Sequence, residues 1–357
     1  MDDFKQKLID LLTTTARQNA SDLHLAVGRR PTLRIDGVLV PLQKEPVMTP
    51  EAAEGIIGTL MTDEQKQSLL HDRQVDFAYS FEDKARFRVN VYFQRGYLAA
   101  ALRLVPARIR TIEELNLPPL LHDLAKLSQG FILLVGPAGH GKSSTLAAIL
   151  DEINHTRSDH IITIEDPVEY LFTQDKCIVS QREVGSDAIG FHSALRTVLR
   201  QDPDVVMIGE MRDATSISTA MTAAETGHLV LSTLHTNSAS QTIDRIIDSF
   251  PPEQQGQVTS QLAATLVAII SERLLPRLSG GRVPAVEVMI VNPAIRNLIR
   301  ERKSYQIDLV IETSLQEGMT TLNRSLVNLV KNKEISLENA ELYSLNPAEL
   351  RILMERT

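Results

Sequence analysis

Apolar residues at Phe4, Leu8, Leu11 and Leu12 recur at helical spacing and predict a helix over residues 4–17. Residues 23–25 and 32–35 read as short strands, with Asp36 and Gly37 marking a turn between Ile35 and Val38. Thr49, Pro50 and Glu51 have the order of a helix start: a capping hydroxyl, a first-turn proline, then an acid. Thr62, Asp63 and Glu64 open another. Residues 75–105 alternate and are rich in β-formers, so the first hundred residues predict a small mixed α/β domain. Further on the pattern changes. Residues 131–135, 161–164, 205–208 and 229–231 are continuous apolar runs separated by helical segments. Strands apolar on both faces, alternating with helices, predict a parallel sheet covered on both sides. The expected organisation is a small domain over 1–104, a linker over 105–112 and a second α/β domain over 113–357.

Composition narrows the classes. The chain has 357 residues, 43% hydrophobic and 23% charged, the balance of a folded globular chain. Its formal charge of −8 means that no overall field holds it to nucleic acid, and no stable nucleic-acid partner is expected. The single cysteine, Cys177, rules out an intrachain disulfide or an all-cysteine zinc site and reads as a small buried residue, in keeping with a reducing, cytoplasmic setting. Met1, Asp2, Asp3 and Phe4 do not begin a secretory signal. The most apolar stretch, 262–270, is interrupted by Thr265 and is far short of the roughly 20 residues of a membrane helix. Any membrane association is therefore expected to be peripheral.

Residues 136–143 carry the chemistry. Gly136, Pro137, Ala138, Gly139, His140, Gly141, Lys142 and Ser143 fit G-x-x-x-x-G-K-[ST] at every fixed position, after an apolar run and before a helical segment that opens with Ser144. Glycines let the backbone wrap closely around phosphate oxygens with the N–H groups pointing inward, and the helix N-terminus adds partial positive charge. Lys142 supplies a cation to the β and γ phosphates of a bound nucleotide, and Ser143 a hydroxyl to Mg²⁺. The side chain of His140 has no evident task, since the cradle is made of backbone.

Further groups belong at the neighbouring strand ends. Residues 161–164 lead into Glu165 and Asp166, with Pro167 as the stop. Residues 205–208 lead into Gly209, where many phosphate-loop enzymes have an aspartate, and then Glu210. Glu210 is thus the acid available to hold Mg²⁺ through water or to orient the attacking water. The third run ends near His235, with His228 at its beginning. Both acids also read as helix caps, and His235 reads equally as a γ-phosphate sensor or as a structural residue. His24 and His71 read as structural.

Between Lys84 and Arg110 stand seven basic residues and no acidic one. Phe87, Val89, Val91 and Phe93 alternate, so Arg86 and Arg88 face the other way. A turn at Arg95 and Gly96 places Arg88 opposite Arg103. Like charges directly opposite each other are unfavourable in a sheet, and an anion between them would remove the repulsion. This face is expected to be solvated, to supply arginine fingers to a neighbouring subunit's nucleotide, or, against the overall acidity, to meet nucleic acid.

These residues together resemble the secretion and type IV pilus ATPases, within the additional-strand RecA-like class. The resemblance runs through residues 21–25, the Walker A loop, residues 164–169 (similar to that family's Asp box), residues 208–213 (its atypical Walker B) and residues 226–237 (its His box). Within the family the chain looks most like the retraction motors. Residues 294–300, AIRNLIR, are similar to a box associated with them, and one cysteine cannot build the four-cysteine module of the extension motors. On its own that box is an amphipathic helix with Ile295, Leu298 and Ile299 on one face. The resemblance implies an N-terminal PAS-like domain, a C-terminal RecA-like domain, a homohexamer that hydrolyses ATP at the cytoplasmic face of the inner membrane, and a platform protein of the pilus machine as partner. It makes Glu165 the water-activating acid, Glu210 the magnesium-side acid and Arg88 and Arg103 fingers acting across subunits. Ala138, His140 and Ser144 depart from the usual pattern. An accessory retraction motor and a nucleic-acid translocase on the same core are the alternative readings.

Overall fold

The structure, a computed structural model, describes residues 2–18, 20–35, 37–81, 85–105 and 108–356. Asp36 of the predicted turn, Lys84 at the start of the basic segment, and Pro106 and Ala107 of the predicted linker lie outside the described residues. The chain divides into two compact units: Met1–Arg108 with Glu169–Leu171, and Ile109–Val168 with Phe172–Thr357.

The first unit is built on a six-stranded antiparallel sheet. Its strands are β1 (Asp22–Ala26), β2 (Thr32–Ile35), β3 (Val38–Pro41), β4 (Gln74–Phe81), β5 (Ala85–Gln94) and β6 (Tyr97–Val105), in the order β3-β2-β1-β6-β5-β4. Leu8, Leu11 and Leu12 of the helix Asp2–Arg17 are buried in the same core as Leu23, Phe87, Val89, Val91 and Leu102, so the predicted apolar spacing does form the packing face. Thr49 and Thr62 cap the helices Pro50–Gly58 and Asp63–Asp72, the second through a reciprocal box with Gln65. Arg95 and Gly96 both have positive φ, 53° and 85°, as a two-residue hairpin turn between right-twisted strands requires. That turn sets the register, and Arg88 stands opposite Arg103 as the alternation predicted.

The second unit holds a seven-stranded sheet made of β7 (Gly130–Val135), β8 (His160–Glu165), β9 (Ile178–Glu183), β10 (Val205–Ile208), β11 (Leu229–Leu234), β12 (Leu266–Pro276) and β13 (Arg282–Ile290). The order is β13-β12-β7-β11-β10-β8-β9. Every pairing is parallel except that of β12 with β13. The expected α/β class with a mostly parallel sheet holds. β7, β10 and β11 are buried along their whole length, which explains their unbroken apolar runs. The apolar stretch 262–270 divides at Leu266, where the helix Pro252–Thr265 gives way to β12. Ile295 and Ile299 of the helix Pro293–Arg300 are buried and Leu298 packs against the same core, the face expected of that segment. Cys177 is buried. Among the described residues no helix is long and apolar enough to cross a membrane.

Candidate functional site

The parallel pairing of β7, β8, β10 and β11 brings the ends of the four strands to one edge of the sheet. β7 lies between β11 and β12 and ends at Val135. The chain then turns through Gly136, Gly139 and Gly141 with φ of 142°, 78° and 102°, values that L side chains rarely adopt. Gly141 caps the helix Lys142–Thr156, so the loop delivers its backbone to a helix N-terminus. Space also bears on two of these glycines, most strictly on Gly136, whose neighbour is backbone. A Cβ on Gly136 would lie 2.3 Å from the carbonyl oxygen of Glu272, and one on Gly141 2.3 Å from Glu272 Oε1.

Lys142 is buried, and its Nζ donates to the carbonyls of Gly136 at 2.8 Å and Pro137 at 2.9 Å. It also meets His235 Nδ1 at 3.4 Å. His235 Nε2 lies 3.3 Å from Glu210 Oε2, and Glu210 Oε1 is ion-paired with Arg212. A lysine ammonium only donates, so Nδ1 is the acceptor and the imidazole proton sits on Nε2, directed at Glu210. One polar chain thus links the phosphate loop to the ends of β11 and β10. Gly209 precedes Glu210 for a steric reason: a Cβ there would lie 3.3 Å from the carbonyl oxygen of Ile164 on the adjacent strand. A side chain there would press on the adjacent strand by a few tenths of an ångström, and the acid comes one residue later.

Glu165 is the last residue of β8 and is buried. It accepts hydrogen bonds from Thr163 Oγ1 at 2.6 Å and Gln181 Nε2 at 3.3 Å. In the strand order β8 stands three places from β7, roughly 14 Å between axes. Glu165 therefore shares the functional edge, on the strand next to the one that leads into Glu210. His228 precedes β11 and so lies at the opposite edge of the sheet from His235, roughly 20 Å away along the strand. Its Nδ1 is held by the carbonyl of Ala223 at 2.9 Å. The structure does not bring His228 together with the other expected residues.

Ser143 and Glu210, expected on the metal side, offer only oxygen donors, which suits Mg²⁺. Among the described residues no three His, Cys, Asp or Glu side chains converge into a protein metal cage. A magnesium ion that takes most of its shell from phosphate and water needs none.

Arg88 and Arg103 are both exposed on the non-core face of the first unit. An external anion was expected to relieve their repulsion, but Arg103 has an internal one. Asp22, its register partner on β1, accepts from Arg103 Nε at 2.9 Å. Asp22, Asp76, Asn90, Ala101 and the two arginines line a small cavity of about 130 Å³. The alternation within β5 and β6 exposed the two arginines. Asp22 is 81 residues from Arg103 and gave no local signal.

Sequence reasoning also missed the residues behind the loop. His140, to which no task was given, accepts through Nδ1 from the backbone N–H of Leu274 at 3.0 Å and so fastens the loop to β12. Burial, then the charges of Arg273, Lys142 and Arg282, hold its pKa below the usual histidine value, which keeps that acceptor available. Glu272 accepts from Thr145 Oγ1 at 2.8 Å and is almost wholly buried. Burial pushes its carboxyl up to about 7, against the Thr145 hydrogen bond and the Lys142 charge. Its signal in the sequence was a charged pair, Glu272 and Arg273, within an otherwise apolar segment.

The T2SSE family, described as type II/IV secretion system protein, matches residues 2–281. The chain belongs to this family. It is 44% identical over 333 residues to the type IV pilus retractation ATPase PilT of Pseudomonas aeruginosa, covering 93% of this chain and 96% of that protein. It is 40% identical over 340 residues to the twitching motility protein of Neisseria gonorrhoeae, covering 95% and 91%. A crystal structure of the pilus retraction motor PilT with bound ADP superposes with a TM-score of 0.90 at 46% identity, covering 96% of this chain and 98% of that one. Likeness at that level over nearly the whole of both chains means a shared fold.

Proposed function

We propose that this chain is an ATP-hydrolysing motor that powers type IV pilus retraction and twitching motility. The observation that carries the reading is the Lys142–His235–Glu210 chain at the mouth of a glycine-built phosphate loop. Membership of the family and the retraction motors among its relatives give that chemistry its task.

On this reading residues 136–144 hold the phosphates of ATP, mainly through their backbone N–H groups (Pro137 has none), and Ser143 with Glu210 holds Mg²⁺. ATP and Mg²⁺ supply the transferable γ-phosphoryl group and the charge that neutralises its oxygens. Lys142 leaves the Gly136 and Pro137 carbonyls for phosphate oxygen. His235 Nδ1 then loses its donor, and that change passes through Nε2 to Glu210 and Arg212, just beyond the end of β10. Glu165, oriented by Thr163 and Gln181, activates water. Arg88 and Arg103 act on a neighbouring subunit's nucleotide, which requires Arg103 to exchange Asp22 for phosphate. The expected assembly is a homohexamer at the cytoplasmic face of the inner membrane, working on the pilus platform protein. The division into 1–104, a linker over 105–112 and 113–357 is the domain plan we propose for it.

The deciding experiment is phosphate release from Mg·ATP by the purified protein, with its mass in solution measured alongside. Steady release by an assembly of about six subunits supports the proposal. Saturable nucleotide binding without release would reduce the chain to a nucleotide-gated module. Large stimulation by DNA or RNA would replace the pilus reading with a nucleic-acid translocase.

A further inference from the structure

The phosphate loop leans on a strand far away in sequence. β12 runs parallel to β7 with Ser271 level with Val135, so Glu272 arrives beside Gly136. From there it touches both ends of the loop, its carbonyl oxygen at Gly136 and its carboxyl at Gly141, and it takes the Thr145 hydroxyl from the first turn of the following helix. Two residues on, Leu274 holds His140. β12 therefore supports the loop from behind, and an acid stands at the centre of that support.

A carboxylate is a costly support. The inner face of the loop is built to receive anions, and a negative charge behind it opposes them. Leu or Gln would fill similar space, and Gln would accept the Thr145 hydrogen bond without charge. We propose that Glu272 is a positioning residue of the nucleotide site, whose buried carboxyl weakens the loop's hold on nucleotide when ionised and takes up a proton when nucleotide binds.

The proposal rests on the nucleotide-site reading above. Its geometry is the triple contact with Gly136, Gly141 and Thr145. Burial places the titration of Glu272 near neutrality, about 7, where the ionised and neutral forms are both populated. Lys142, from the helix after the loop, is the charge that acts on it directly. Other charged and titratable groups on the elements packed there include Arg273, whose guanidinium reaches Asn237, Arg282 and Glu287 on β13, the first of which reaches the Gly139 carbonyl, His140 in the loop, His235 beyond Lys142, and, further along the helix, Asp151, Glu152 and His155. A unit charge roughly 10 Å from a phosphate, at an effective dielectric near 20, changes affinity about tenfold. Bound phosphate favours the neutral acid by the same factor, so binding and protonation are linked.

The test is Mg·ADP affinity of the full-length protein and of Glu272→Gln, followed with a fluorescent ADP analogue from pH 6 to 8.5. The ratio of wild-type to variant Kd should be near one at pH 6 and rise to about tenfold at pH 8.5, with the variant the tighter binder. Glu272→Ala, which removes the support as well as the charge, should bind more weakly than the Gln variant throughout. A support role alone would leave the Gln variant at wild-type affinity and weaken the Ala variant by the same factor at every pH, and a flat ratio of wild-type to Gln-variant Kd overturns the inference. If the variants do not fold, calorimetry of the wild type in buffers of different ionisation enthalpy decides. Uptake of a fraction of a proton per Mg·ADP near pH 7.5 is expected, and zero uptake overturns the inference. Binding without the pH effect sinks this inference alone, whereas no binding at any pH sinks the nucleotide reading with it.

Discussion

Glu287 offers a measurable link between a buried charge and the frame of the site. It lies on β13, 7% exposed, and its Oε1 accepts from the backbone N–H of Ala239 at 2.7 Å. Ala239 opens the helix Ala239–Asp248, four residues after His235, so Glu287 anchors the segment that leaves the polar chain. Burial raises the Glu287 carboxyl to about 7. The Ala239 N–H opposes that rise, Asp308 adds to it, and Arg273 opposes it again. The sign follows from linkage. In the unfolded chain the group titrates near 4.5, so between there and 7 the folded state binds the proton more tightly. Stability present at low pH is lost as pH climbs through that window. At about 1.4 kcal/mol per pH unit the loss is about 3 kcal/mol, a large share of a typical 5–15 kcal/mol. Glu287→Gln keeps the acceptor for Ala239 and removes the ionisation. Its amide leaves a donor to be satisfied, at a cost of about 1 kcal/mol. Urea unfolding should be followed by circular dichroism at pH 5 and pH 8, since the chain has no tryptophan. Wild-type stability should fall between the two by about 3 kcal/mol more than that of the variant. Equal falls would refute the reasoning, because the buried acid would then not be ionising at the cost its burial dictates.

Glu210→Ala should bind nucleotide with affinity within a few-fold of wild type yet lose phosphate release, and normal turnover would remove Glu210 from the mechanism. Arg103→Ala should lose phosphate release in the assembled protein while keeping its mass in solution; wild-type turnover there would leave Arg103 a solvated residue paired with Asp22. Gly136→Ala places a Cβ 2.3 Å from the Glu272 carbonyl at a φ of 142°, so it should cost about 2 kcal/mol in stability and most nucleotide affinity. A thermal melt and an ADP titration check this, and a variant that matches wild type in both would show that the loop does not need its close approach to β12.

Much of the site was legible because its determinants are local. The phosphate loop is one contiguous stretch whose glycines answer to their own φ values. The Arg95–Gly96 turn alone sets the register that puts Arg88 across from Arg103. Glu210 and His235 could be assigned to strand ends because an apolar run announces where a buried strand stops. Even the separation of His228 from His235 was implicit, since a six-residue strand holds its two ends apart.

The sequence by itself therefore determined the basic hairpin, the Thr49 and Thr62 caps, four buried strands, the cradle and the candidate acids Glu165 and Glu210. Only the tertiary structure decided which of them meet. Asp22 reaches Arg103, and Glu272 reaches Gly141, across spans that no periodicity encodes, because strand order in a sheet is settled by how helices cover it and not by any one strand's pattern. The same order joined Lys142, His235 and Glu210 in one chain and left Glu165 on the next strand. A residue type can declare its chemistry locally, but its partner is chosen by the packing of the whole sheet.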